Sequence, residues 1–166
     1  MKKTISIIIS IAMCAMLASC GGVKNEVSDT EQPTLIDTMS LEEKVGQILF
    51  VRCVEDGQTD DLMSIKPGGI LMFGRDFEGL TKDEVKEKIQ SYQDKSDIPL
   101  IIGADEEGGT VVRVSSNPNL APEKFKSPQE IYNEGGMDAV VENATEKSEL
   151  LLSLGVNMNL APVADV

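Results

Sequence analysis

Four short apolar runs set the architecture of this chain. They read ILFV (48–51), GGILMFG (68–74), IPLIIGA (98–104) and VNMNLAPVADV (156–166). None alternates cleanly between apolar and polar residues, so each reads as a strand buried on both faces. Strands of that kind belong to parallel sheets covered by helices. Helical patterns occupy the spaces between them. TDDLMSIKP (59–67) suits a short helix, and TKDEVKEKIQSYQDKS (81–96) sets Val85, Ile89 and Tyr92 at helical spacing behind a capping Thr81. GGMDAVVENATEKSELLLSLG (135–155) reads as a longer helix stopped by Gly155. Ahead of the first run, Ser40 and Glu43 have the spacing of a capping box. Strand and helix alternate throughout, which predicts an α/β fold with a parallel sheet.

The charge balance excludes one class of partner. Among the 166 residues, 28 acidic side chains face 15 basic ones, for a net charge of −13. Duplex binding rests on basic contacts to phosphate, so nucleic acid is not an expected partner. The first nineteen residues stand apart from the fold. A basic head, MKK, precedes an apolar segment too short to span a bilayer comfortably, and LASC (17–20) follows. This pattern resembles a bacterial lipoprotein signal, with cleavage before Cys20 and lipid on its thiol. The expected location is extracytoplasmic, anchored to a membrane by that lipid. Residues 20–33 turn polar and form a flexible tether, leaving 34–166 as the folded part. Of the three cysteines, Cys14 leaves with the signal and Cys20 is lipidated. Cys53 then remains alone as a small buried residue, without an internal disulfide or a cysteine metal cluster.

The strand ends carry the chemistry. Arg75 follows the second run, Asp105 the third and Asp165 the fourth. In parallel α/β folds that edge binds ligands, so the three are expected at one mouth. The third end is the most unusual: Asp105, Glu106 and Glu107 are consecutive and lead into Gly108 and Gly109. A carboxylate where a buried strand stops must find donors. Sugar hydroxyls, a metal ion or an arginine would each serve, and Arg113 returns eight residues later. Glu106 and Glu107 are not a catalytic pair, because adjacent strand side chains point to opposite faces.

These stretches carry a family resemblance. GGILMFGRDF (68–77), PLIIGADEEGGTVVRV (99–114) and LGVNMNLAPVADV (154–166), supported by MSLEEKVGQILFV (39–51), resemble the N-terminal domain of glycoside hydrolase family 3 in its β-N-acetylglucosaminidase branch. The resemblance implies the first half, about four units, of a (β/α)₈ barrel. It implies that Asp105 and Arg113 bind hydroxyls of the terminal sugar. Glu107 and the glycines would shape that loop, with Asp165 and Arg75 nearby. The implied reaction is retaining release of terminal β-linked N-acetylglucosamine from glycans or cell-wall fragments, with no metal or other cofactor. The family's nucleophilic aspartate and the histidine that serves as acid/base in this branch lie on later strands. Both are therefore expected beyond Val166, and this sequence has no histidine. No catalytic residue is assigned within the chain, and the remaining half of the barrel is the expected partner. Two other readings stay open: another family 3 exo-glycosidase of β-glucosidase type, or a surface sugar-binding lipoprotein without catalysis.

Overall fold

The apolar runs pair as four parallel strands in the order β1-β2-β3-β4. They are β1 (Phe50–Arg52), β2 (Gly69–Leu71), β3 (Ile101–Ala104) and β4 (Met158–Asn159). The computed structural model describes residues 33–55 and 57–163, and from Leu35 onward they belong to one unit. The signal segment, Cys20, nearly all of the tether, Asp165 and Val166 lie outside the described residues. The helices are α1 (Leu35–Thr38), α2 (Leu41–Gln47), α3 (Thr59–Ser64), α4 (Gly74–Phe77), α5 (Lys82–Gln93) and α6 (Pro128–Leu154). Every strand-to-strand connection contains at least one of them. Each strand also pairs with its predecessor in sequence. A doubly wound sheet would reverse at a switch point, whereas a (β/α)₈ barrel adds strands in this sequential order.

Helix starts follow local chemistry. Ser40 accepts from the Glu43 amide at 3.2 Å while Glu43 Oε2 accepts from the Ser40 amide at 2.8 Å. Thr81 and Glu84 close the same box at the head of α5, and Ser127 and Glu130 close a third at the head of α6. The third differs from the sequence reading, which began that helix at Gly135. Gly136, at φ 66° and ψ −157°, is a kink between two helical pieces rather than a start. At the other end Gly155 adopts φ 91°, and its N–H reaches back to the Leu151 and Leu152 carbonyls. The strands are shorter than the apolar runs. Ile48 caps α2, residues 74–77 turn into α4, and only Met158–Asn159 of the last run pairs.

Register separates the two faces of the sheet. Ile70 pairs with Ile102, and both are fully buried with Val85 and Ile89 of α5 and Leu151 and Leu154 of α6. That is the core, and its apolar burial is the main favourable contribution to folding. On the opposite face Phe50 aligns with Gly69, and Gly69 with Ile101. Phe50 and Ile101 stay 39% and 42% exposed, so this face is open. The Phe50 ring lies across two glycines. A Cβ on Gly69 would sit 2.6 Å from it, and one on Gly103 2.5 Å from it. The ring fits because those positions carry no side chain.

Truncating Leu154 to alanine empties a fully buried site at the end of α6 and should cost about 2–5 kcal/mol. Urea unfolding should show a lower midpoint with an unchanged slope. Leu152→Ala, at a side chain 64% exposed, should shift stability by under about 0.5 kcal/mol.

Candidate functional site

The site begins where β3 ends. Gly103 lies on the open face, and alternation returns to that side at Asp105. There the Asp105 carboxylate takes a bidentate grip from Arg113, with Nε 2.6 Å from Oδ1 and Nη2 2.5 Å from Oδ2. Paired donors in fixed fork geometry are among the stronger side-chain contacts. The carboxylate raises the guanidinium's affinity for its proton further. Both side chains keep about a quarter of their surface, 22% for Asp105 and 27% for Arg113, so the pair is reachable. Phe73, just past β2, lies beside it. The Arg113 guanidinium stands 5.7 Å from the ring centroid and that of Arg52, at the end of β1, stands 4.8 Å away.

Glu106 turns the other way. Its side chain is fully buried. One carboxylate oxygen accepts from the amides of Arg113 at 2.6 Å and Val114 at 2.7 Å. The other accepts from the Ser115 amide at 3.3 Å and from the Ser115 hydroxyl. Three successive amides converging on an anion form a nest. The backbone of Glu106 is held from β4, where Asn159 accepts from its N–H at 3.0 Å and donates to its carbonyl at 3.2 Å. Asn157 repeats this on β3, accepting from the Ile102 amide at 2.8 Å and donating to the Leu100 carbonyl at 3.2 Å. Two asparagine side chains thus supply contacts that a longer β4 backbone would have made.

Glu107 opens the glycine turn. Its amide and that of Gly108 both donate to the Val111 carbonyl at 3.0 Å. Gly108 adopts φ 101°, and a Cβ there would lie 2.2 Å from the Lys126 carbonyl oxygen, so only glycine fits. Lys147 of α6 donates from Nζ to the Glu107 carbonyl at 2.7 Å. Burial lowers that amine below the ordinary lysine value. The Glu107 side chain lines a cleft of about 220 Å³ with Lys147, Asn143, Asn159 and Pro162.

The structure therefore brings Asp105 and Arg113 together and sets Glu107 on the neighbouring cleft. Arg75 sits on α4 with Nε 3.7 Å from Asp76. Residues 74–77 turn into a helix straight after β2, which leaves Arg75 just past the C-terminal end of that strand beside Asp76. Asp165 and Val166 lie outside the described residues, as do the nucleophile and acid/base expected beyond Val166. Among the described residues no group of three His, Cys, Asp or Glu side chains is arranged to hold a metal. Four participants escaped sequence reasoning: the nest under Glu106, the two asparagines, Lys147, and the Arg52–Phe73 stack. The Asn-x-Asn spacing of Asn157 and Asn159, at the start of the last apolar run, was the one available signal, since alternation puts both side chains on one face.

Lys147 offers a test of this packing. Its amine binds a proton less readily in the folded state, so unfolding takes up protons and stability rises with pH as 10.5 is approached from below. Lys147→Met should remove that rise. Lys66 and Lys126, whose amines are raised by Glu43 and Glu134, act with the opposite sign in both proteins. The difference between wild-type and variant stability from neutral to alkaline pH isolates the Lys147 contribution. Parallel curves would contradict it.

Known proteins resemble this chain in sequence and fold. The N-terminal domain of glycosyl hydrolase family 3 matches residues 40–166. A β-hexosaminidase A of Pseudoalteromonas piscicida is 30% identical over 102 residues, covering 60% of this chain and 17% of that protein. A β-hexosaminidase of Haemophilus influenzae is 24% identical over 98 residues, covering 59% of this chain and 27% of that one. The chain thus spans roughly a quarter or less of the curated relatives it matches. Among solved structures, a family 3 β-N-acetylglucosaminidase from a Paenibacillus species superposes with a TM-score of 0.64 at 25% identity, over 75% of this chain and 24% of that one. A family 3 glycosyl hydrolase from Mycobacterium smegmatis gives 0.63 at 22% identity, over 78% and 38%. These relatives are of the barrel type, and the four-stranded parallel sheet fits as part of one. Because the family's N-terminal domain matches well over half of this chain, residues 40–166, the chain belongs to glycoside hydrolase family 3.

Proposed function

We propose that residues 34–166 form the terminal-sugar-binding part of a β-N-acetylglucosaminidase. The observation that carries this reading is the Asp105–Arg113 pair at the C-terminal end of β3, on the open face and still reachable. A carboxylate accepts from two neighbouring hydroxyls, and the adjacent guanidinium donates to a third oxygen. An ion pair held in advance needs little reordering when a sugar arrives, which favours recognition of a flexible polar ligand. The names of the relatives support N-acetylhexosamine as the sugar.

Cleavage by retention needs a nucleophile and a proton donor on the same glycosidic bond. In this reading both come from strands beyond Val166. Asp105 is committed to Arg113, and Glu106 is buried under residues 113–115 with no path to the mouth. The reading also includes a lipid on Cys20 that holds the domain at a membrane outside the cytoplasm, supported by the LASC segment and the polar stretch after it.

In the complete enzyme, Asp105→Ala should lower kcat/KM for a chromogenic β-N-acetylglucosaminide by about 10- to 200-fold, the size of a lost charged hydrogen bond. Circular dichroism should stay native. Unchanged hydrolysis would refute the clamp. Radiolabelled palmitate should enter the expressed protein and fail to enter Cys20→Ala. Equal labelling of both would refute the anchor.

A further inference from the structure

Arg113 is gripped twice, by two neighbouring acids that point in opposite directions. Asp105 takes its side chain from the open face, and Glu106 takes its main-chain N–H from beneath at 2.6 Å. We propose that Glu106 is a positioning residue, whose buried carboxylate fixes the segment 113–115 and so presets the Asp105–Arg113 pair for sugar. The proposal rests on the clamp reading above for its use of the pair, but not for its claim about Arg113.

Three observations carry it. Glu106 accepts four hydrogen bonds, three from consecutive amides and one from the Ser115 hydroxyl, and forms no ion pair among the described residues. A group that only balanced charge would face a cation rather than a row of backbone donors. The nest is itself anchored: the Phe125 amide donates to the Ser115 hydroxyl oxygen at 3.2 Å, and the Phe125 carbonyl accepts from Gly109 at 2.8 Å. The glycine turn and the arginine segment are thus tied through Phe125 and the Ser115 hydroxyl, which Glu106 also holds. Finally, the backbone of Glu106 cannot drift, because Asn159 clasps both of its polar groups.

The requirement is for an anion. An ionised carboxylate only accepts, which matches four donors aimed at it. Glutamine has nearly the same shape but would bring an NH₂ against the Ser115 amide, leaving donors facing donors in a buried site. Glu106→Gln should therefore loosen residues 113–115 while the core survives.

The chain contains three arginines, Arg52, Arg75 and Arg113, so its Nε–H resonances are few and each is assignable by a lysine substitution. In the ¹⁵N-labelled chain, the Arg113 Nε–H should exchange slowest, since it donates to Asp105. In Glu106→Gln that exchange should accelerate at least about tenfold, and the amides of 113–115 should lose protection. Leu154→Ala, which weakens the core elsewhere, should leave the Arg113 resonance in place and so separates local positioning from general loss of stability. An unchanged Arg113 Nε–H in folded Glu106→Gln overturns the proposal. If Glu106→Gln does not fold, Ser115→Ala removes one of the four donors, and a smaller acceleration is expected; none would overturn the proposal. Titration with N-acetylglucosamine separates the two readings. Affinity lost in both Asp105→Ala and Glu106→Gln supports both. Affinity unchanged in Asp105→Ala overturns the clamp, while a loosened Arg113 in Glu106→Gln still upholds the positioning role.

Discussion

The alternation of side chains at the end of β3 is the constraint on which the site depends. Because successive residues point to opposite faces, Asp105 and Glu106 cannot serve the same ligand. One remains reachable on the open face of the sheet, and the other goes fully into the protein. That separation converts a cluster of like charges, which would repel if it faced one way, into two independent grips on a single arginine. Glu107 then hands the chain to a turn that only glycine permits, with its carbonyl held by Lys147 from α6. An exposed ion pair, a buried brace and the reversal of the loop are divided among three consecutive acids.

The frame around them explains why the pair can stay open to solvent. The helix-facing side of the sheet is filled by Ile70, Ile102, Leu151 and Leu154, so the strands are fixed from one side. On the other side the Phe50 ring spans the gap above Gly69 and Gly103. Phe73, just past β2, has the guanidinium groups of both Arg52 and Arg113 near its ring. Cations over an aromatic face are attracted to its quadrupole, by about 0.5–1 kcal/mol at exposed sites. The polar pair is thus held by a buried network below and an aromatic neighbour beside it.

Much of this was legible in the sequence, for identifiable reasons. The parallel sheet follows from apolar runs without alternation, one capping box follows from Ser40 with Glu43, and the cap of α5 follows from Thr81. Asp105 and Arg113 stood out because a charge at a buried strand's end needs a partner. What stayed hidden depends on contacts between distant segments. The start of α6 was obscured by Gly135 and Gly136, which look like a boundary but form a kink after the Ser127 cap. Asn157 and Asn159 add side-chain contacts to β3 and Glu106 beyond the short backbone pairing of β4, and propensity does not register them. Nothing local marks Glu106 as buried, since its donors come seven to nine residues later. Lys147 reaches across 40 residues to the Glu107 carbonyl.

The central claim concerns where a sugar sits, and a crystal structure of the protein with N-acetylglucosamine bound tests it most directly. The account predicts sugar hydroxyls within about 3.2 Å of the Asp105 carboxylate and the Arg113 guanidinium, over the open face of the sheet. A sugar bound instead between α1 and α5, with Asp105 and Arg113 untouched, would contradict it.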